Sequence, residues 1–139
     1  MTKEEEITRN LTLLEYYKQQ LESIDMQLQY LQTTLADYQR AKITVEQLHT
    51  VDDNSEILIP IGAGTFVNGS LKNASNVLIG VGAGVVLEKP VEETVVKLDE
   101  RIKKIQENFE KMASLGKKIQ SDAEELSHKT QKMMEDQPK

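Results

Sequence analysis

The stretch Ile57–Val67 reads ILIPIGAGTFV, and twenty residues further on Val77–Leu87 reads VLIGVGAGVVL. In both copies a run of β-favouring apolar residues meets Gly-Ala-Gly and is followed by a second short apolar run. This is the pattern of two strands joined by a tight turn, which glycine suits because it adopts positive φ without steric cost. The segment Gly69–Asn76 between the copies is rich in turn-forming residues. The repeat therefore predicts two β-hairpins in tandem, joined by a polar loop.

The residues before this repeat predict one long coiled-coil helix. Two series of apolar residues recur every seven positions and are offset by three: Leu14, Leu21, Leu28 and Leu35, and Tyr17, Ile24, Leu31 and Tyr38. Alternating steps of three and four residues over this length indicate a coiled-coil seam rather than the face of a globular helix. The pattern slips near Ala41 and resumes through Val45 and Leu48. It ends at Asp52–Ser55, because short polar side chains there compete with helical hydrogen bonds.

The residues after the repeat predict a second helix of the same kind. We expect Pro90 at its first helical position, with Glu92 and Glu93 favourable in the first turn. Its seam consists of two unbroken heptad series: Val91, Leu98, Ile105, Met112, Ile119, Leu126 and Met133, and Val95, Ile102, Phe109, Gly116, Ala123 and Thr130. The second series ends in small residues, which bury less apolar area, so the helices should hold each other less firmly there.

The two seams have equal lengths, and this decides the topology. Each spans about 42 residues and would be about 63 Å long at a rise of about 1.5 Å per residue. Equal helices on either side of a compact insert fit an antiparallel helical hairpin with both termini remote from the insert. The predicted fold is therefore α+β: a long antiparallel coiled-coil helical hairpin with two tandem β-hairpins at its base that join an intersubunit β-barrel. The expected division is an N-terminal coiled-coil helix over 1–50, β-hairpins over 51–89 and a C-terminal coiled-coil helix over 90–139.

The composition argues against several classes of protein. The 139 residues carry a formal net charge of −6, so a basic face that binds nucleic acid is not expected. The acidic stretch Met1–Glu6 lacks the layout of a signal peptide, and no apolar run approaches the roughly 20 residues that span a bilayer. Without cysteine, neither disulfides nor thiolate metal sites can form. We expect a soluble, cytoplasmic protein that binds neither nucleic acid nor membranes.

The second glycine-rich copy has only a superficial likeness to a dinucleotide-binding loop. That loop requires a third glycine where Val85 stands and a helix directly after it, whereas Val85–Leu87 is expected to continue as a strand. The two histidines, His49 and His128, lie in different helices, and each is expected to be a solvated helix residue. The acidic residues fall off the seams and indicate a charged outer surface. The sequence therefore predicts no enzyme, no cofactor and no metal site.

The apolar hairpins are expected to need partners. Two short hairpins leave strand edges open and too much aliphatic surface in water, since burying one such side chain is worth roughly 1.5 to 3 kcal/mol. One hairpin face can rest on the coiled coil, and the rest is expected to be covered by strands of neighbouring subunits that close into a barrel. The residues predicted for this oligomerisation are Ile57, Ile59, Ile61, Phe66, Val77, Ile79, Val81, Val85 and Leu87. The alternative is a self-contained four-stranded sheet that caps a monomeric helical hairpin.

Two long helices of matching length around paired Gly-Ala-Gly hairpins resemble the α-class subunit of prefoldin, over nearly the whole chain. The paired hairpins are the specific part of the resemblance, because β-class subunits of that family carry only one. The resemblance implies a hexamer of two α-class and four β-class subunits, with a double β-barrel body and six projecting coiled-coil arms. It also implies capture of unfolded proteins by the arm tips without ATP, and their delivery to a group II chaperonin.

Loosened seams and apolar residues off the seam give a physical reason for capture at the tips. The residues predicted to contact unfolded clients are Ile7, Leu11, Leu14, Leu115, Ile119, Leu126, Met133 and Met134. Methionine suits such a surface because its side chain adapts its shape, and several weak contacts on one body raise the effective concentration. Ordinary seam packing is the alternative role for each of these residues. The alternative function is a structural coiled-coil scaffold or filament subunit without client binding.

Overall fold

A computed structural model describes residues 1–136. Helix α1 (Lys3–Gln47) continues into a short 3-10 turn (Leu48–Thr50) and is followed by four strands and a second helix. The strands are β1 (Ser55–Gly62), β2 (Thr65–Leu71), β3 (Asn76–Gly82) and β4 (Val85–Pro90), and the second helix is α2 (Val91–Glu135). The predicted fold class, with two long helices on either side of two tandem β-hairpins, is confirmed. The last three residues of the expected 90–139 helix lie outside the described residues.

The chain forms two compact units. One, called here the helical unit, consists of Met1–Thr34 and the described part of Ile105–Lys139. The other, called here the hairpin unit, is Leu35–Lys104 and contains all four strands. Both helices contribute residues to both units.

In the helical unit the two helices pack antiparallel through the predicted seam. The Asn10 Nδ2 atom lies 3.9 Å from Met133 Sδ, and Gly116 faces Ile24, whose Cγ2 would lie 3.4 Å from an added Cβ. The start of α1 thus contacts the end of α2, and a later residue of α1 contacts an earlier residue of α2, which is the antiparallel arrangement. The buried residues of this unit all lie on the two seams: Ile7, Asn10, Ile24, Ile119 and Thr130.

The helices of the hairpin unit are antiparallel as well, and they correct one prediction. The Nζ atom of Lys42 lies 2.6 Å from Asp99 Oδ1 on the facing helix. Because Lys42 is seven residues after Leu35, as Val45 is after Tyr38, the heptad does not slip near Ala41. A half-buried lysine fills the seam position there, and its ammonium group pairs with Asp99.

The start of α2 also differs from the prediction by one residue. Pro90 is the last residue of β4, and the helix begins at Val91, which is fully buried. The hydroxyl of Thr94 donates a hydrogen bond to the Pro90 carbonyl oxygen over 3.0 Å. Pro90 therefore precedes the helix and supplies the acceptor for its first turn, which requires no N–H from the proline.

The two hairpins have the predicted strand–turn–strand form. Strand β1 pairs antiparallel with β2, with Ile59 opposite Val67, and β3 pairs with β4, with Ile79 opposite Leu87. The residues Ala63 and Gly64 form the first two-residue loop, with φ of 51° and 70°. Positive φ at both loop residues is the requirement of the type I′ turn, whose twist matches that of the flanking strands. The hairpins form two separate two-stranded sheets rather than the alternative four-stranded sheet.

The loop between the hairpins is shorter than predicted, because β2 extends to Leu71 and β3 begins at Asn76. Backbone contacts join this loop to both ends of the hairpin region. The Ala74 N–H donates to Asp53 Oδ1 over 2.9 Å, and the Val91 N–H donates to the Ser75 carbonyl oxygen over 3.0 Å. Ala74 is buried as a result. The segment after α1, the loop and the start of α2 are thus held together by hydrogen bonds that sequence patterning does not reveal.

We expect Gly116→Ala to raise the free energy of unfolding by about 1 kcal/mol, because glycine in a helix interior is about that much less favourable than alanine. The added Cβ would lie 3.4 Å from Ile24 Cγ2, an ordinary van der Waals distance. Thermal unfolding followed by circular dichroism should show a higher midpoint. The reverse change one turn away, Ala113→Gly, should lower it. A lower midpoint for Gly116→Ala would show that the seam cannot accommodate a methyl group at this position.

Candidate functional site

The exposed apolar faces of the hairpins are the first candidate site. In the β1–β2 hairpin, Ile59 and Val67 share one face, while Leu58 and Phe66 lie on the other, as side chains alternate along a strand. All four side chains are exposed. Each two-stranded sheet also has two open edges, whose unpaired N–H and C=O groups can accept a further strand. The hairpin can therefore gain both apolar burial and hydrogen bonds by contacting another chain.

The β3–β4 hairpin is partly covered, unlike the β1–β2 hairpin. Ile79 is 7% exposed, whereas Ile59 at the equivalent position of the repeat is 46% exposed. The Arg101 guanidinium on α2 donates a hydrogen bond from Nη2 to the Gly80 carbonyl oxygen over 2.9 Å. This bond joins β3 to α2, and Leu98 and Ile102 on the same helix are buried. The β3–β4 hairpin thus rests on α2 with one face and keeps Leu78 and Val86 exposed on the other.

The nine residues predicted for oligomerisation differ in their exposure to solvent. Ile79 is buried and Val77 is half-buried. The other seven are exposed: Ile57, Ile59, Ile61, Phe66, Val81, Val85 and Leu87. The most exposed large hydrophobic residues of the hairpins are Leu58 and Leu78, which are equivalent in the repeat and are not in the predicted set.

The residues predicted to contact clients occupy three kinds of environment. Leu11, Leu115 and Met134 are about half exposed and off the seam. Leu14, Leu126 and Met133 are half-buried on the seam, and Ile7 and Ile119 are buried within it. As packed, the first three side chains can meet another molecule directly, whereas Ile7 and Ile119 become accessible only if the helices separate.

The predicted client residues do not all lie at one end of the helical unit. Ile7 and Leu11 on α1 lie near the end of α2, since Asn10 contacts Met133. Leu115 and Ile119 instead flank Gly116, which faces Ile24. The 17 residues from Gly116 to Met133 correspond to about 26 Å along the helix. The helical unit therefore presents exposed apolar residues both at its end and part of the way along.

A groove opens beside Gly116 because this residue has no side chain to fill the seam. It has a volume of about 480 Å³ and is lined mainly by Leu21, Ile24, Leu28 and Ala113. Its rim carries Asp25, Lys117 and Glu124. An apolar surface with a polar rim is suited to an apolar side chain of another molecule.

Sequence reasoning missed three polar residues within these packed regions. Asn10 is buried on the seam, Lys42 is half-buried on it, and Arg101 contacts the β3 backbone. The heptad register itself was the available signal for the first two, because Asn10 lies seven residues before Tyr17 and Lys42 seven after Leu35. For Arg101 the sequence offers no such signal, since the contact depends on how the hairpin lies against α2.

Within residues 1–136, no cluster of three or more His, Asp and Glu side chains is arranged to hold a metal ion. His49 Nε2 lies 3.5 Å from Glu92 Oε1, and both side chains are largely exposed. None of the helices in this part of the chain is both long and apolar enough to cross a membrane.

The family model described as prefoldin subunit matches residues 17–136. The prefoldin subunit alpha of Archaeoglobus fulgidus is 32% identical over 108 residues, which cover 78% of this chain and 79% of that protein. A filamentous prefoldin of Methanocaldococcus jannaschii superposes with a TM-score of 0.72 at 21% identity, covering 83% of this chain and 95% of the other. The prefoldin beta subunit of Thermococcus strain KS-1 has a TM-score of 0.62 at 18% identity, with coverage of 96% and 95%.

Proposed function

Since the chain belongs to the prefoldin family and resembles its α-class subunits, we propose that it is the α-class subunit of an ATP-independent chaperone that holds unfolded proteins. Family membership supports a chaperone-type function, which is generally non-enzymatic. The observation that carries the proposal further is the exposure of aliphatic residues on both faces of the β1–β2 hairpin, together with apolar side chains that the packed helices leave accessible.

The exposed hairpins support assembly with β-class subunits into a hexamer of two α-class and four β-class chains. An aliphatic side chain such as Leu58 or Leu78 stabilises a contact by roughly 1.5 to 3 kcal/mol when it is fully buried. Both hairpins offer several such residues and open strand edges. Strands contributed by several chains would cover these faces and satisfy the edges in one barrel.

Client capture would use the exposed residues of the helical unit. Leu11 and Met134 lie where the two helices end, and Leu115 is exposed part of the way along α2. Each contact with an unfolded segment would be weak, and several arms on one body would raise the effective concentration of binding sites. Transfer of the client to a group II chaperonin, and a cytoplasmic location, are part of the proposal and rest on the family resemblance.

The test is to measure the native mass of the chain alone and after mixing with a β-class subunit. The same preparations are then tested for suppression of aggregation of a chemically denatured client without ATP. We expect a stable hetero-oligomer of hexameric mass, and protection by that complex at near-stoichiometric amounts.

A hetero-oligomer that gives no protection would favour the alternative, a structural scaffold without client binding. Self-assembly of this chain into long polymers, with no uptake of the β-class subunit, would favour the filament form of that alternative. Either result would contradict the proposed function.

A further inference from the structure

Lys42 occupies a seam position that the rest of α1 fills with apolar residues. It follows Leu35 by seven residues, and its side chain is 31% exposed. Its neighbour Ile43 points to solvent and is exposed. The helix thus places a lysine on the seam next to an isoleucine on the surface, the reverse of what apolar burial alone would favour. A half-buried ammonium group at such a position requires an acidic partner.

The partner is Asp99 on α2. Lys42 Nζ lies 2.6 Å from Asp99 Oδ1, and Glu46 on the same helix contributes a second, longer contact of 3.8 Å. The hydrogen bond to Asp99 raises the pKa of Lys42 above its ordinary value, because it stabilises the ammonium form. Among the ion pairs of residues 1–136, this is the one that links α1 to α2, since the His49–Glu92 contact joins the 3-10 turn to α2.

We propose that the Lys42–Asp99 pair determines which helix α1 pairs with, by favouring α2 of the same chain and disfavouring α1 of a second copy. In a parallel, in-register pair of two α1 helices, every seam residue faces its own counterpart. Leu14, Leu21 and Leu28 would pack well in such a pair. Two Lys42 ammonium groups would instead meet at the seam. Their mutual repulsion and the loss of the ion pair with Asp99 would both destabilise the pair of α1 helices relative to the α1–α2 pair.

Asn10, at the other end of α1, does not oppose such a pair. It is buried on the seam against Met133, whereas in a parallel pair it would face a second Asn10, whose amide is a better hydrogen-bond partner than a thioether. Lys42 is therefore the seam residue that distinguishes α2 from a second copy of α1. The test therefore addresses Lys42.

The experiment uses the full-length chain carrying Val45→Cys, because the natural chain has no cysteine and Val45 lies on the same seam. The protein is refolded alone from denaturant under oxidising conditions, and disulfide-linked dimers are measured on a non-reducing gel. Lys42→Leu should raise the dimer yield by about fivefold or more, because it removes the charge that opposes pairing of two α1 helices. Arg40→Leu, which removes an exposed charge off the seam, should leave the yield unchanged.

Exchanging the charges of Lys42 and Asp99 distinguishes an effect on the choice of partner helix from an effect on stability alone. Lys42→Asp alone should lower the thermal midpoint, because two carboxylates then face each other. Adding Asp99→Lys should restore the midpoint and keep the dimer yield low. The proposal is overturned if Lys42→Leu gives the same dimer yield as Arg40→Leu. It is equally overturned if the exchanged pair melts no higher than Lys42→Asp.

Discussion

The double substitution Leu58→Asp with Leu78→Asp should abolish entry of this chain into a complex with β-class subunits. The two leucines are equivalent in the repeat and are 64% and 72% exposed in the chain alone. In the proposed barrel each would be buried, and an unpaired carboxylate in its place costs at least several kcal/mol. The isolated chain should still fold, because neither side chain is packed within it. Native mass after mixing with the β-class subunit is the measurement.

Met26→Asp is the matched control for this experiment. Met26 is 70% exposed on α1 and off the seam, so a charge there should be tolerated both in the chain and in the complex. Circular dichroism should show that both variants retain the helical content of the natural chain. A full-size complex formed by the double aspartate variant would exclude the hairpin faces as the contact surface.

Removal of both helix ends should reduce client protection strongly while leaving assembly intact. Deleting 1–12 and 131–139 cuts the two helices at one level, because Asn10 contacts Met133. The deletion removes Leu11 and Met134, two of the exposed residues proposed to bind clients. Several arms of one complex bind the same client. The loss of one weak contact in each arm therefore lowers the affinity of the whole complex by more than it lowers that of a single arm. We expect the amount of complex needed for half-protection of a denatured client to rise by about tenfold or more.

Point substitutions distinguish lost contacts from shortened arms. Leu11→Ser combined with Met134→Ser should reproduce most of the loss, whereas Met26→Ser should have little effect, although all three side chains are exposed. Leu115→Ser tests whether the surface beside Gly116 contributes. Full protection by the truncated complex, with its mass unchanged apart from the deletion, would contradict capture at the helix ends.

Much of the fold could be predicted because two kinds of sequence regularity dominate this chain. A heptad repeat fixes both the helical state and the buried face, since only one stripe of the helix recurs with that period. The Gly-Ala-Gly repeat fixes the turns, because positive φ at Ala63 and Gly64 is required by a two-residue loop. The exposure of Leu11 and Met134 also followed from their positions off the seam.

The remaining features depend on contacts between distant residues, which local patterns do not encode. The apparent slip at Ala41 arose because a search for apolar residues passes over Lys42, whose partner Asp99 is 57 positions away in sequence. Ile59 and Ile79 occupy equivalent positions, yet only Ile79 is buried. That difference reflects how the β3–β4 hairpin lies on α2, where Arg101 bonds to the Gly80 carbonyl. The loop between the hairpins is likewise held by hydrogen bonds that Asp53 Oδ1 and the Ser75 carbonyl oxygen accept from Ala74 and Val91.

The contact between Asn10 and Met133 has a consequence for how the chain is made. These residues are 123 positions apart, so the partner of the first helical turns is translated long after them. At a synthesis rate of roughly 5 to 20 residues per second, the apolar residues at the start of α1 stay uncovered for several seconds at least. The start of α1 is therefore open to aggregation for that interval, until Met133 has left the ribosome.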